Sequence, residues 1–550
     1  MELRPLAWKV LAAGRGRRIL LAGAILALLL GGVLLRRTTW EETTHLRFQR
    51  DIVNGFYWGS QTVALGQRLS PGENPDSWRA FARGYIALYD QVGDDAYEGN
   101  YGLDYPPLRL LVMSIWAKGV RAKFPGVEDG TPDYVRPLLH VNLLCEMVTA
   151  AGIFLLVRRG LRRASDATDS PLFRRVSPRR RATVCGLVAA SVVWFDPSLI
   201  LDTHAWPQWD VWILPFFLFA ALAALTRRWF WCGCLLAAGG MLKGQLLFVA
   251  PFFLFWPLWQ KRWVRALHLV AGFVFGSALF VLPWLLRNAS SWCLVATVAG
   301  LTAAVLFRRR SRNAAPWTAG VTAVAAFIVG AVNGGSFGWL TIGFLYGSEH
   351  YPYLFISSCY NLPSLLADWG WSLKAPLWSL NLGALHLSLT LQWALRLFYL
   401  LALVLCALGA ARHTRHREPR LLIALAAPWL LMFALLAQMH ERYLLWGAVL
   451  SAVALGVSLR LSVLHFFFSA MSAAMITHVL LVDKKLGPTL GLIDLLEKAR
   501  PYASWLFLGC VAIWVWDTFS SRPPSLRLRP VSTLPKEKVG LSLAAAAEKV

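Results

Sequence analysis

The chain has 550 residues, 57% of them hydrophobic, and a mean hydropathy of +0.50. A soluble protein of that length would show two or more domains joined by polar linkers, whereas here long apolar runs recur from end to end. The net charge of +25 would suit a nucleic-acid partner if it gathered on one patch. Its Lys and Arg stand instead in short clusters between apolar runs, the distribution that orients membrane spans, so a nucleic-acid partner is excluded. The pattern predicts an all-α polytopic membrane protein. The eight Cys lie mostly inside apolar runs, and Cys232-Gly-Cys234 lacks the spacing of a redox or zinc pair. The 27 Trp fit the aromatic belts of membrane interfaces.

In chain order, Arg15, Arg17 and Arg18 precede the apolar run 19–35, which predicts a cytoplasmic N-terminus and a retained first helix rather than a signal peptide. The polar segment 36–108 follows, with ten acids against seven Arg and no Lys. Its polar groups would go unsatisfied in hydrocarbon, so it is expected on the external face. It closes on Tyr101-Gly-Leu-Asp104-Tyr105-Pro-Pro-Leu108. Residues 108–124 are apolar but carry Arg109, Lys118, Arg121 and Lys123, which predicts an interfacial helix. A second span, about 137–157, returns to the segment Arg158–Arg181 with its nine Arg, the strongest cytoplasmic marker.

The run 182–196 leads out to Asp196-Pro-Ser-Leu-Ile-Leu-Asp-Thr-His204-Ala-Trp-Pro-Gln208-Trp-Asp210. Residues 229–258 read as two short membrane segments broken at Lys243-Gly-Gln245, tolerable where the freed backbone lines a cavity. A second polar loop, 334–386, holds His350-Tyr-Pro-Tyr and Tyr360-Asn-Leu-Pro, and the helix 421–438 leads to Met439-His440-Glu441-Arg442-Tyr443. The expected organisation is a first helix (1–35), a first external loop (36–136), transmembrane helices (137–333), a second external loop (334–386), C-terminal helices (387–520) and a basic cytoplasmic tail (521–550). About fourteen spans place the positive clusters on alternate loops.

On that topology Asp51, Asp104, His204, Gln208, Lys243, His440 and Arg442 all fall at external helix ends, and ionisable groups at such depth mark functional cavities. Carboxylates come from the first loop and cations from later helices. That set suits an anionic ligand arriving from the lipid phase, such as a lipid-phosphate-linked sugar. Its phosphate departs without a general acid, cations stabilise the developing charge, and one carboxylate serves the acceptor hydroxyl as general base. Single displacement inverts the anomeric centre. No cofactor and no metal is expected, because no Asp, Glu or His spacing suggests ligation. Asp51 is the preferred base. Asp104 has a capping role open to it beside Tyr-Pro-Pro, Glu41 and Glu42 remain further candidates, and Glu441 either orients His440 or neutralises Arg442. His204 is equally readable as a structural histidine, and Lys243 as a side chain snorkelling to the interface.

These residues carry a resemblance. The chain resembles the GT-C superfamily of polyprenyl-phosphate-sugar-dependent glycosyltransferases. Gly102-Leu-Asp104-Tyr105-Pro-Pro-Leu108 looks like the first-loop motif of the dolichyl-phosphate-glucose glucosyltransferases of the asparagine-linked glycan pathway. His204-Ala-Trp-Pro-Gln208-Trp-Asp210 is similar to their His-Gly-His-Phe-Gln-Tyr-Asn, with Trp206 in place of the second His, and Lys243-Gly-Gln245 and His440-Glu441-Arg442 resemble their Lys-Gln-Met and His-Glu-Lys. Tyr105-Pro-Pro, Gln208-Trp-Asp210, Lys243-Gly-Gln245 and Met439-His-Glu-Arg-Tyr443 also resemble motifs of prokaryotic proteins related to the second mannosyltransferase of GPI-anchor synthesis. The resemblance implies a base early in the first external loop, carried onto Asp51, and phosphate binding by the late His, carried onto His440 beside Arg442 and Lys243. His204, Gln208, Asp210, Tyr105, Glu441 and Gln245 would bind substrate. The implied donor is a polyprenyl-phosphate glucose or mannose; the acceptor is a glycolipid, polysaccharide or protein. Compact loops and Arg-rich composition point to a bacterial inner membrane with the site facing outward. Two readings compete: a transporter or flippase of a lipid-linked or anionic solute, which broken helices also suit, and a lipid-diphosphate-dependent polymerase or ligase.

Overall fold

A computed structural model describes residues 14–43, 50–74, 77–91, 103–126, 132–163, 177–309, 313–345, 359–382, 385–484 and 490–520. Met1–Thr518 form one compact unit; Phe519–Val550 form a second, of which only Phe519 and Ser520 are described. The expected basic tail, Tyr101 and Gly102 of the first-loop motif, most of the Arg-rich loop and the His350-Tyr-Pro-Tyr stretch lie outside the described residues.

The first half of the unit comprises α1 (Gly14–Glu42), α2 (Arg50–Arg68), α3 (Trp78–Gln91), α4 (Pro107–Lys123), α5 (Pro132–Arg163), α6 (Pro178–Trp194), the single turn α7 (Pro197–Ile200) and α8 (Ile213–Leu225). Next come α9 (Trp229–Leu242), α10 (Leu246–Trp259), α11 (Trp263–Leu285), α12 (Ala289–Arg308), α13 (Ala314–Val332) and α14 (Leu362–Asp368). The strands β1 (Pro376–Leu382) and β2 (Leu385–Thr390) pair antiparallel, with an irregularity between Pro376 and Trp378. The chain closes with α15 (Leu391–His416), α16 (Leu421–Leu435), α17 (Leu444–Ser451), α18 (Leu459–Lys484) and α19 (Leu490–Phe519).

Among the described residues eight helices (α1, α5, α11, α12, α13, α15, α18 and α19) are long and apolar enough to cross a membrane, nine if α6 and the bent segment after it form one span. The fold is that of a helical, multi-pass membrane protein. The expected figure of about fourteen spans also includes apolar runs shorter than these. Four apolar helices are shorter: α16, α9, α10 and the segment Asp210–Leu225 that contains α8. Fourteen to sixteen residues at 1.5 Å each reach only about 21–24 Å, short of a hydrocarbon core of about 30 Å. These short helices converge on the centre. Every residue of α16 and α17 is buried, with Trp429 and Trp446 tilted against each other at 5.3 Å.

The polar segment 36–108 contains more helix than its composition suggests. The first helix runs on to Glu42, and two amphipathic helices follow. Ile52, Phe56, Gly59, Thr62 and Gly66 fall on one buried stripe of α2, and Phe81, Tyr85, Leu88 and Tyr89 on one of α3, the three-and-four spacing of a helix face. Gly66 and Gly84 stand where α2 and α3 cross. A Cβ on Gly66 would strike Ala80 O, and one on Gly84 would strike Thr62 O. The same device brings α9 against α11: a Cβ on Gly233 would meet Leu269 O, and one on Gly272 would meet Phe230 O, the small-residue contact that lets membrane helices approach closely. The helix expected at 108–124 forms as α4, burying Leu110, Met113, Ala117 and Val120.

The late loop contains a hairpin that hydropathy did not disclose, so α15 starts at Leu391, where Thr390 Oγ1 accepts from Trp393 N at 3.3 Å. Asn361 caps α14 through Ser364 N at 3.1 Å and donates to Phe433 O at 3.1 Å. We expect Gly84→Val to prise α2 from α3, seen as faster proteolysis within residues 69–77 and a lower Tm. Gly23→Ala on α1, where a Cβ meets nothing within 4 Å, should match wild type in both assays.

Candidate functional site

The site forms where three breaks in helical structure and the first turn of α2 bring charge to one place. After α16 the chain leaves helical geometry at Leu436, passes Gln438 in the left-handed region (φ 60°) and re-enters through a single 3-10 turn, Glu441–Tyr443. A non-glycine residue held at positive φ is strained, and such strain gathers at functional sites. Between α9 and α10, Lys243 is extended (φ −153°, ψ 119°), which frees its side chain from a helix face. After α7 the chain makes one π-helical turn, Leu201–Ala205, then the turn Asp210–Trp212. Asp51 stands in the first turn of α2, where a helix N-terminus favours a carboxylate.

Arg442 is the hub. Its Nη2 lies 2.7 Å from Asp51 Oδ2 and its Nε 2.7 Å from Asp210 Oδ2. Asp210 also pairs with Lys243, and its backbone oxygen accepts from Trp446 Nε1 at 2.8 Å. Asp210 and Lys243 are almost fully buried, while Asp51 keeps about a third of its side chain exposed (36%). Arg442 Nη1 is buried without a hydrogen-bond acceptor among the described residues. Burial pushes the Asp51 carboxyl up, but Arg442, His440 and Arg109 outweigh it and hold Asp51 below the usual carboxylate range. The Gln208 carboxamide, oriented to satisfy its neighbours, donates to Asp51 Oδ2 at 3.1 Å and accepts from Trp206 Nε1 at 3.2 Å.

Aromatic rings line this charge cluster. Lys243 Nζ stands 4.6 Å from the Tyr443 ring centre and 5.1 Å from that of Trp446, and Arg442 lies 5.0 Å from Trp206. The Trp206 ring lies 5.3 Å from that of His440. His440 Nδ1 is 2.9 Å from Glu441 Oε2, and Gln245 reaches Tyr443 OH at 3.4 Å. The Tyr-Pro-Pro turn is fixed from α3: Tyr85 OH donates to Pro107 O at 2.7 Å and Tyr89 OH to Tyr105 O. Arg109 lies 3.9 Å over the Tyr105 ring, and Asp104 is within electrostatic reach of Tyr89, Tyr105 and Tyr443.

Ten of the eleven residues singled out in the sequence thus gather here: Asp51, Asp104, Tyr105, Gln208, Asp210, Lys243, Gln245, His440, Glu441 and Arg442. His204 goes elsewhere. It is buried with its Nε2 3.2 Å from Glu146 Oε1, beside Arg36 and Thr203, which both bond Glu146. Arg36 also donates to Gly32 O at 3.0 Å and Trp194 O at 2.9 Å. His204 therefore faces Glu146 of α5. Glu41 pairs with Arg37 at 2.8 Å on the exposed face of α1, and Glu42 is exposed.

Several residues here went unread in the sequence. Asn142 donates to Thr203 O at 2.9 Å and Gln208 O at 2.8 Å and accepts from Trp212 Nε1 at 2.6 Å, so it ties both turns to α5. Asn142 and Glu146 are four apart inside an apolar run, and that one-face spacing of polar groups in a membrane helix was the available signal. Arg109 read only as a charge on an interfacial helix. Asp202 is buried with neither carboxylate oxygen hydrogen-bonded. Among the described residues no three His, Cys, Asp or Glu side chains converge as a metal site would require; the carboxylates meet cations.

A scan of protein-family models finds no match to the chain, and a search of curated proteins finds none either.

Removing one partner of a buried ion pair strands the other's charge, at a cost of about 3–5 kcal/mol, whereas exchanging both for apolar groups is often neutral. We expect Glu146→Ala to lower stability by that order in chemical unfolding and the double variant Arg36→Met/Glu146→Leu to recover most of the loss.

Proposed function

We propose that the protein is an inverting glycosyltransferase of GT-C architecture that moves a hexose, glucose or mannose, from a polyprenyl phosphate to an acceptor hydroxyl at the outer face of a bacterial inner membrane. The observation that carries this reading is the 2.7 Å pair between Asp51, a partly exposed carboxylate, and Arg442, whose Nη1 has no acceptor among the described residues. A base and an anion-binding group are thus in contact before any substrate enters.

In the reaction, the donor phosphate draws Arg442, Lys243 and His440 towards its oxygens and loosens the hold on Asp51. The acceptor hydroxyl, its proton passing to Asp51, attacks the anomeric carbon. The new bond from acceptor oxygen to that carbon forms as the bond from the carbon to the phosphate oxygen breaks. Polyprenyl phosphate leaves with its bonding electron pair, and the cations stabilise that charge. The step requires no metal, because the phosphate is already a good leaving group, and attack opposite to it inverts the anomeric centre. Gln208 orients Asp51, Tyr105 and Asp104 form the acceptor side, and Asp210, Gln245 and Glu441 hold Lys243, Tyr443 and His440 towards the donor.

The break at Lys243 between two short apolar helices also favours a second reading, transport of an anionic lipid-linked solute past the same cations. The two separate in one assay with purified protein, labelled polyprenyl-phosphate glucose or mannose, and native lipid extract. Transfer is expected, insensitive to EDTA, and reduced about 100- to 10,000-fold in Asp51→Asn, the range for loss of a general base, with the fold retained. Absence of transfer from every such donor, with solute flux in liposomes, overturns the transferase.

The pH profile offers an independent check. Because the cations hold Asp51 below its usual range, the carboxylate stays ionised as pH falls, and the acid limb of kcat/KM should lie below an ordinary Asp. In Arg442→Gln burial is less opposed, so the limb of the residual activity should move to higher pH. A limb that stays in place in the variant assigns the base elsewhere.

A further inference from the structure

A groove of about 610 Å³ runs between α4 and α5, outside the charge cluster. Its walls are apolar: Val112, Ile115 and Val120 from α4, Leu138 and Val141 from α5, and Trp212 behind them. Lys123, Arg136 and His140 also line it, with Asp133, which bonds Arg136 at 3.3 Å, as the counter-charge. The groove is therefore basic towards the start of α5 and apolar along it. That polarity continues down the helix, where Val141, Leu144, Met147 and Leu155 are exposed. From Arg136 to Leu155 the helix rises about 28 Å, close to one hydrocarbon core. Gly119 lines the groove, and a Cβ there would meet nothing within 4 Å. A helical Gly gives up stability relative to Ala, and here it leaves open space on the groove side.

The groove reaches the base by two routes. Trp116 of its wall stacks on Tyr134 at 5.4 Å, and Phe56 of α2 meets both edge-on at 5.2 and 4.8 Å. Phe56 rides the same helix as Asp51. Trp212 donates to Asn142, Asn142 donates to Gln208 O, and the Gln208 side chain donates to Asp51. Lys243 and His440, which receive the donor phosphate, come from other elements. The groove thus belongs to the base's side of the site.

We propose that this groove holds the hydrocarbon anchor of a lipid-linked acceptor, its anionic headgroup at Lys123, Arg136 and His140 and its glycan on the Asp51 side. Charge complementarity chooses the headgroup, and the exposed apolar stripe of α5 chooses a long chain. The acceptor role rests on the transferase reading; occupancy by an anionic lipid does not.

The test uses the full chain in phosphatidylcholine nanodiscs with a diazirine-bearing phosphatidylglycerol, and a phosphatidylcholine probe of the same chain as comparison. The anionic probe should label peptides within 112–123 and 136–141 several-fold more than the neutral one. Gly119→Leu, which fills open space, should cut that labelling several-fold with Tm retained, and Lys123→Glu/Arg136→Glu should remove the preference for the anionic probe. With a lipid acceptor and labelled donor, Gly119→Leu should raise the acceptor KM several-fold and leave the donor KM in place. Equal labelling by the two probes, or labelling indifferent to Gly119→Leu, overturns the groove as an anionic-lipid site. Groove labelling with an unchanged acceptor KM makes the occupant an ordinary phospholipid and overturns the acceptor role. Failure of all transfer removes the acceptor role together with the transferase reading, while the photolabelling still decides the lipid site.

Discussion

One guanidinium held between two carboxylates sets the terms for the rest of the molecule. Arg442 meets Asp51 from the first long segment and Asp210 from the turn before α8, and Asp210 in turn holds Lys243. Buried charges are tolerated only when paired, and each pairing here joins elements far apart in the chain. The four apolar helices too short to span are short because they stop at this level. α9 and α10 break to present Lys243, α16 and α17 break to present His440 and Arg442, and α8 starts just after Asp210. A full-length span would carry these side chains past one another or leave them facing lipid.

A second set of ion pairs supports the first. Glu146 gathers Arg36, Thr203 and His204 at the back of the π turn, while Asn142, one helical turn away, holds the carbonyls of Thr203 and Gln208. The turn is thereby tied to α5 in addition to its own backbone bonds, Trp206 N to Leu201 O at 2.8 Å and Gln208 N to Asp202 O at 3.0 Å, which suits a stretch that must place Gln208 and Asp210 at separate carboxylate and cation partners. Strain at Gln438 and the extended Lys243 belong to the same economy: regular helix geometry is given up where polar side chains must converge, and the surrounding contacts hold the result.

The arrangement has two sides. Aromatic rings and cations from α9, α10, α16 and α17 make a surface suited to phosphate, while α2, α4 and α5 make the side that bears the carboxylate. Trp206 lies between them, over Arg442 and against His440. Its Nε1 donates to the Gln208 carboxamide that meets Asp51.

Much of this was legible in the sequence for a plain physical reason: charge in an apolar run is costly, so Lys243, His440, Arg442 and Asp210 stood out, and the position of basic clusters marked the spans. The Lys243 break and the helix after Tyr-Pro-Pro were legible too. Helices α2 and α3 were not, because their apolar stripe is diluted by the polar face that gives the segment its composition. His204 read equally as a site residue and as a structural histidine when only spacing could be seen. Hydropathy by itself determined that the chain is a helical membrane protein and which polar residues are too expensive to be incidental. Only the tertiary structure decided which of them share a centre, since pairing depends on helices that close through space, and it sent His204 to Glu146 while joining Asp51 to Arg442.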